Sequence, residues 1–223
     1  MSPMAVVLAS AAVAGLLALG LPALLRSLPA PAQDPPSVSY RALAGWRPLV
    51  PLGVVVSTLV AAGLAWRVEP ARLMLALTPL VPLLFLLAYV DWRVQRLPKV
   101  PILVATAVGL VLVVAEGLWL GETEALLRTL VGLVLARSVF WLLWRIAPQA
   151  MGFGDVRLAA LVGLVLAGVG WTEWMIGLWA GLAIFGVWGV ARAVAKRSRS
   201  AMREPLAYGP FMIAGMLAAL LAG

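Results

Sequence analysis

Residues 100–120 read VPILVATAVGLVLVVAEGLWL, an unbroken apolar stretch whose one charged side chain, Glu116, comes near its end. About 20 mainly apolar residues are needed to cross the hydrocarbon core of a bilayer as a helix. Working outward, seven more runs of this kind appear: Met4–Leu25, Pro48–Trp66, Leu73–Val90, Glu124–Ile146, Val156–Gly170, Trp174–Ala193 and Leu206–Ala222. They predict an all-α integral membrane protein, a polytopic bundle of about eight transmembrane helices forming one membrane-embedded domain over residues 1–223. The sixth run is short, and only Trp171, Thr172 and Glu173 separate it from the seventh, so a tight helical hairpin is expected there.

Composition agrees with the bilayer as solvent. Of 223 residues, 64% are apolar and 12% charged, with a mean hydropathy of +1.05. Soluble domains sit nearer half apolar and a quarter charged. The first run has no preceding positive charge, is too long for a signal peptide and has a poor cleavage site at Ala30-Pro31-Ala32. It is expected to stay as an anchor.

The net charge of +8 is distributed in a telling way. With the amino end outside, the inner loops collect Arg26, Arg41, Arg47, Arg93, Arg96, Lys99, Arg145, Arg157, Arg192, Lys196, Arg197, Arg199 and Arg203, thirteen of the 17 basic residues. Arg67, Arg72 and Arg128 remain outside, and Arg137 falls within the fifth run. The positive-inside rule accounts for this bias without a nucleic-acid partner and places both termini outside. The segment 27–47, rich in proline and serine, reads as a short cytoplasmic loop. The ten tryptophans fall mostly near run ends, as an aromatic belt does. Gly177 and Gly181 form a GxxxG pair read as close helix packing. Glu116 is close enough to an end to snorkel; Arg137 is too deep for that, and either pairs with a buried acid or lines a cavity.

There is no cysteine and no histidine. Disulfides, thiolate or imidazole zinc sites, and Ser-His or Cys-His catalysis are therefore excluded. No HExxH occurs, and neither Lys99 nor Lys196 sits near an apolar-buried serine for a Ser-Lys pair. Carboxylates remain.

Three aspartates occur. Asp34 lies in the proline-rich loop as a turn residue. Asp91 ends the third run, where a carboxylate faces the negative end of a helix dipole; it is either a boundary residue paired with Arg93 or Arg96, or a functional acid. Asp155 ends Met151-Gly152-Phe153-Gly154-Asp155 and opens the sixth run. Its plain role is an N-cap. Gly152 and Gly154 argue for more, because glycine permits unusual backbone angles and close approach of another chain. Both acids fall on the expected cytoplasmic side, and ionisable groups at membrane depth often mark function. Paired carboxylates can activate water with one member and protonate a leaving group with the other. The dipoles favour the shared proton on Asp91 and the ionised form on Asp155.

Three ordered elements between Leu84 and Gly215 resemble the bacterial type IV prepilin peptidases, membrane aspartic proteases of the GxGD type. Asp91 is followed by Leu97-Pro98. Gly152-Phe153-Gly154-Asp155-Val156-Arg157-Leu158, then Gly163, is similar to the GxGDxKL motif. Tyr208-Gly209-Pro210-Phe211, then Gly215, looks like the closing YGPF element. The resemblance implies catalytic Asp91 and Asp155, no metal or cofactor in the peptidase step, and cleavage of prepilins or pseudopilins after a glycine at the cytoplasmic face of the bacterial inner membrane. Many members also methylate the new terminus with S-adenosylmethionine, and no residue here can be assigned to that activity. The chain departs from the larger members in having no CxxC zinc loop after the first run, in Lys99 where an acid often follows Leu-Pro, and in Arg157 where lysine is usual.

Other readings are a GxGD intramembrane protease with another substrate, a proton-coupled transporter, and a structural pilus-assembly scaffold. The Leu97-Pro98 offset favours the prepilin peptidase over another protease branch. A transporter would be expected to show inverted repeats and interrupted helices near mid-membrane; the sequence shows no repeat, and its acids sit at run ends. A scaffold would tolerate loss of either aspartate.

Overall fold

The computed structural model describes residues 2–29, 39–67, 77–148, 151–196 and 207–222. Asp34, Arg72, Arg197, Arg199, Arg203, the Ala30–Ala32 segment and the first residues of the third and eighth runs lie outside them, as does the Glu116 side chain. The described residues are helical, with no strand among them. Each of the eight apolar runs contains a helix. Among the described residues four helices are long and apolar enough to cross a membrane, or five if a bent pair counts as one span. Contacts divide the chain into two compact units, residues 1–101 and 102–222.

In the first unit the first apolar run is not one straight rod. It splits into α1 (Pro3–Ala18) and α2 (Leu21–Ser27), bent by 44°. The break carries Gly20, and Pro22 sits in the first turn of α2, so the ladder is interrupted where proline supplies no N–H. After the short α3 (Tyr40–Leu43) come α4 (Leu49–Arg67) and α5 (Leu80–Val94). Small residues set the spacing. A Cβ on Gly15 would lie 2.7 Å from Thr58 Oγ1 on α4, and one on Gly53 would lie 3.3 Å from the Phe85 ring on α5. Leu25, Tyr40, Leu43, Leu49, Leu86 and Val90 form a buried core beneath α3. Trp46 stacks on Tyr89 at 4.9 Å between ring centroids.

The second unit holds most of α6 (Lys99–Leu120), then α7 (Thr123–Ile146), α8 (Phe153–Val169), α9 (Trp171–Ala195) and α10 (Gly209–Ala222). From Val156 to Ala167 every residue of α8 except Arg157 is buried, so its otherwise uniform apolarity marks a central helix. Gly132 and Ala136 on α7 meet Ala167 and Gly163 on α8, while Gly177 and Gly181 on α9 meet Gly215 on α10. The GxxxG pair thus serves close packing, as its spacing predicts.

The α8–α9 connection is tighter than expected. Gly170 alone, in extended conformation, separates the two helices, and Trp171, Thr172 and Glu173 already form the first turn of α9. Trp174 then donates its indole N–H to the Gly132 carbonyl at 3.0 Å. Apart from the short α3, the remaining helices α5, α8 and α10 run 15, 17 and 14 residues. At 1.5 Å per residue even α8 extends only about 25 Å, short of a full hydrocarbon core of about 30 Å.

Candidate active site

Asp91 belongs to the first unit and Asp155 to the second, and each has its own built surroundings. Asp91 is in the last turn of α5, 4% exposed. The helix stops at Gln95, whose backbone is left-handed (φ 53°, ψ 35°) and whose N–H donates to the Asp91 carbonyl at 2.8 Å. A left-handed residue turns the chain sharply at a helix end. Leu97 and Pro98 follow, both buried, and α6 begins at the exposed Lys99. The Leu-Pro pair therefore forms the wall of the turn that leaves Asp91.

Tyr40, from the short helix in the loop, closes this corner. It is 5% exposed and donates its hydroxyl to the Arg96 carbonyl at 3.2 Å. Burial pushes the Tyr40 phenol above its ordinary range; the Arg96 charge opposes that shift and the Asp91 charge adds to it. Nothing in its spacing marked Tyr40 beforehand, because the contact spans 56 residues of sequence.

Asp155 is 6% exposed and sits at the third position of α8, one turn inside the expected N-cap. Gly152 is the cap residue. Its N–H donates to Asp155 Oδ2 at 3.1 Å, and the Asp155 N–H donates to the Gly152 carbonyl at 3.1 Å. The carboxylate reaches back as in a capping box, with a glycine in place of the usual serine or threonine. Gly152 has φ −78° and ψ 150°, which any residue adopts, and Gly154 is not in the left-handed region either. Unusual backbone angles are therefore not what the two glycines provide. Between them, Phe153 packs edge-on to Trp144 at 5.1 Å and lies under the Arg157 guanidinium at 4.7 Å. Arg157 thus has a packing role in holding this helix start.

Tyr208, just before α10, belongs to the same surroundings. It is 2% exposed, and its phenol lies within electrostatic reach of Asp155. The rings of Phe140 and Phe185 flank it at 5.5 and 5.1 Å. Its carbonyl accepts the N–H groups of Phe211 and Met212 at 3.0 and 3.1 Å, which fixes the start of α10. Gly209 and Pro210 form the first helical turn, where proline's missing N–H costs no hydrogen bond. At the other end of α8, Arg128 donates to the carbonyls of Ala167, Gly168 and Val169. Arg137 is exposed on α7, whose packed face carries Gly132, Ala136 and Phe140. Among the described residues no group of acidic side chains is arranged to hold a metal ion.

Apolar helices of spanning length, with buried acids at the ends of two further helices, define a multi-pass helical membrane protein. A model of the type IV leader peptidase family matches residues 79–222, well over half of the chain and inclusive of Asp91, Asp155 and Tyr208, and the chain belongs to that family. Comparison with curated proteins and with solved structures gave no match. Membership makes the protein a leader-peptidase-like protease, and so a hydrolase.

Proposed function

We propose that the protein is an aspartic endopeptidase that removes the leader of type IV prepilins or pseudopilins at the cytoplasmic face of the bacterial inner membrane. The observation that carries it is the pair of buried carboxylates, Asp91 and Asp155, each at a helix end inside the family-matched region. The chain then acts as one membrane-embedded domain of eight spans with both termini outside, α5, α8 and α10 being its short members.

In this mechanism Asp155 is the ionised base, helped by its place in the first turn of α8, and Asp91 carries the proton at a helix carboxyl end. Asp155 takes a proton from water as the water oxygen bonds to the carbonyl carbon of the glycine before the cut. Asp91 gives its proton to the carbonyl oxygen. Asp155 then passes its proton to the amide nitrogen, the C–N bond breaks, and Asp91 recovers a proton from a diol hydroxyl. The pair titrates as a unit. The substrate's apolar helix would lie along the spans while its leader stays in the cytoplasm. Methylation of the new terminus with S-adenosylmethionine forms no part of the proposal.

Co-expression with a prepilin, followed by mass spectrometry of the product, tests it. Wild type should cut after a glycine, and Asp91→Asn and Asp155→Asn should each be inert although inserted normally. Cleavage by both variants would remove the aspartic mechanism, whereas a wild type that cuts none of several prepilins would favour a scaffold or a transporter.

A further inference from the structure

Tyr208 is a buried polar side chain within electrostatic reach of Asp155. Its hydroxyl is buried and has no hydrogen-bond partner among the described residues. Leaving such a group unpaired is costly, and each one in a native protein calls for an explanation, a catalytic role among them. The surroundings keep the hydroxyl where it is. Phe140 from α7 and Phe185 from α9 hold the two sides of the ring. The backbone of Tyr208 is fixed by the two N–H groups that its carbonyl accepts at the start of α10. On α9, Gly181 lets the helix backbone come close to the hydroxyl: a Cβ there would sit 3.4 Å from Tyr208 Oη and crowd Met212 Cα at 3.1 Å. A donor held rigidly, buried and within electrostatic reach of the Asp155 carboxylate suits a transition state in which new negative charge develops.

We propose that the Tyr208 hydroxyl is a catalytic hydrogen-bond donor to the carbonyl oxygen of the scissile peptide bond. It donates as that oxygen gains charge during water attack and keeps its own proton throughout, so the proton transfers between water, Asp91 and Asp155 are unchanged. The inference rests on the peptidase reading of Asp155 and adds a third group to it. Phe140, Phe185 and Gly181 act through Tyr208 as positioning residues.

The test uses the full-length protein in detergent micelles and a synthetic peptide with a basic leader, a glycine at the cut and an apolar helical segment. Wild type and Asp155→Asn are assayed first. If wild type is inactive, or Asp155→Asn cuts as well as wild type, the peptidase reading fails and the Tyr208 inference falls with it. If only wild type cuts, Tyr208→Phe decides. It retains the ring and its packing and removes only the hydroxyl. The expected result is a fall in kcat of about 100- to 1000-fold, KM within about two-fold, unmoved limbs of the pH–rate profile, and a melting temperature equal to or above wild type. A kcat within two-fold of wild type would overturn the proposal. So would a shifted acidic limb, which would mean that the hydroxyl acts through Asp155, or a fall in kcat matched by a lower melting temperature. Tyr208→Leu, which also removes the ring clamp, should lose stability, confirming that the melting measurement senses this site.

Discussion

The Arg128 guanidinium on α7 donates to the Ala167 carbonyl on α8 at 2.7 Å, closing the end of α8 opposite Asp155. It also reaches the carbonyls of Gly168 and Val169, so one side chain satisfies three groups that the helix leaves without partners. Its charge opposes the negative end of the helix dipole as well.

Arg128→Met should therefore lower stability by about 1.5–3 kcal/mol, the range for hydrogen bonds to a charged group. Arg128→Lys should recover only part of that loss, because an ammonium lacks the planar fork that serves several acceptors at once. Thermal unfolding in detergent at constant pH checks the order wild type, Lys, Met.

Gly215 gives a packing test with an internal control. A Cβ on Gly215 would run into the α9 backbone, 2.5 Å from the Gly177 carbonyl oxygen and 2.7 Å from Gly181 Cα. Backbone cannot swing aside, so Gly215→Ala should destabilise by about 1–3 kcal/mol. Gly186, on the same α9 helix, has nothing within 4 Å of its Cβ position. Gly186→Ala should be neutral or should stabilise by up to about 1 kcal/mol through helix propensity. Equal melting temperatures for the two variants would contradict the observed crossing of α9 and α10.

Gln95 is a non-glycine residue in the left-handed region, which costs an L-residue about 1–2 kcal/mol. Gln95→Gly should be tolerated or mildly stabilising. Gln95→Val should be clearly destabilising, since a β-branched side chain fits that region worst. Because Gln95 ends the helix carrying Asp91, the valine variant should also lose cleavage activity, measured on the prepilin peptide at matched amounts of folded protein.

Tyr40 supplies a pH dependence. Its phenol is raised above an ordinary value of 10.0, so the folded protein keeps the proton to higher pH than the unfolded chain does. The associated stability is intact below about pH 10 and is lost as pH rises through the folded value. Tyr40→Phe lacks this contribution, and its melting temperature should fall less steeply than that of wild type between about pH 9.5 and 11.5. Parallel curves would show that Tyr40 titrates as it does in the unfolded chain.

Much of this molecule was legible residue by residue. Lipid satisfies no backbone groups, which leaves helices or closed barrels. An unbroken apolar run such as Val100–Leu120 is too long and too uniform for the alternating strands of about 10 residues in a barrel. The small-residue spacing Gly177–Gly181 declared a close crossing. The types and order of Asp91, Leu97-Pro98, Gly152–Asp155 and Tyr208–Phe211 pointed to the leader peptidases, the family whose model the chain matches. Helix ends were less legible. Gly20 and Pro22 break the first run, and the α8–α9 connection shrinks to Gly170, because a helix ends where its capping geometry closes rather than where hydropathy falls.

The sequence by itself determined a helical membrane chain, the candidate acids and the loss of every chemistry that needs histidine or cysteine. Only the tertiary structure decided what surrounds those acids: Tyr40 against the turn after Asp91, Tyr208 clamped by Phe140 and Phe185 beside Asp155, and Arg128 across the far end of α8. Each of these contacts joins residues tens of positions apart. Local pattern reports solvent and backbone preference along the chain, whereas such pairings arise from which helix faces meet, and that is a property of packing.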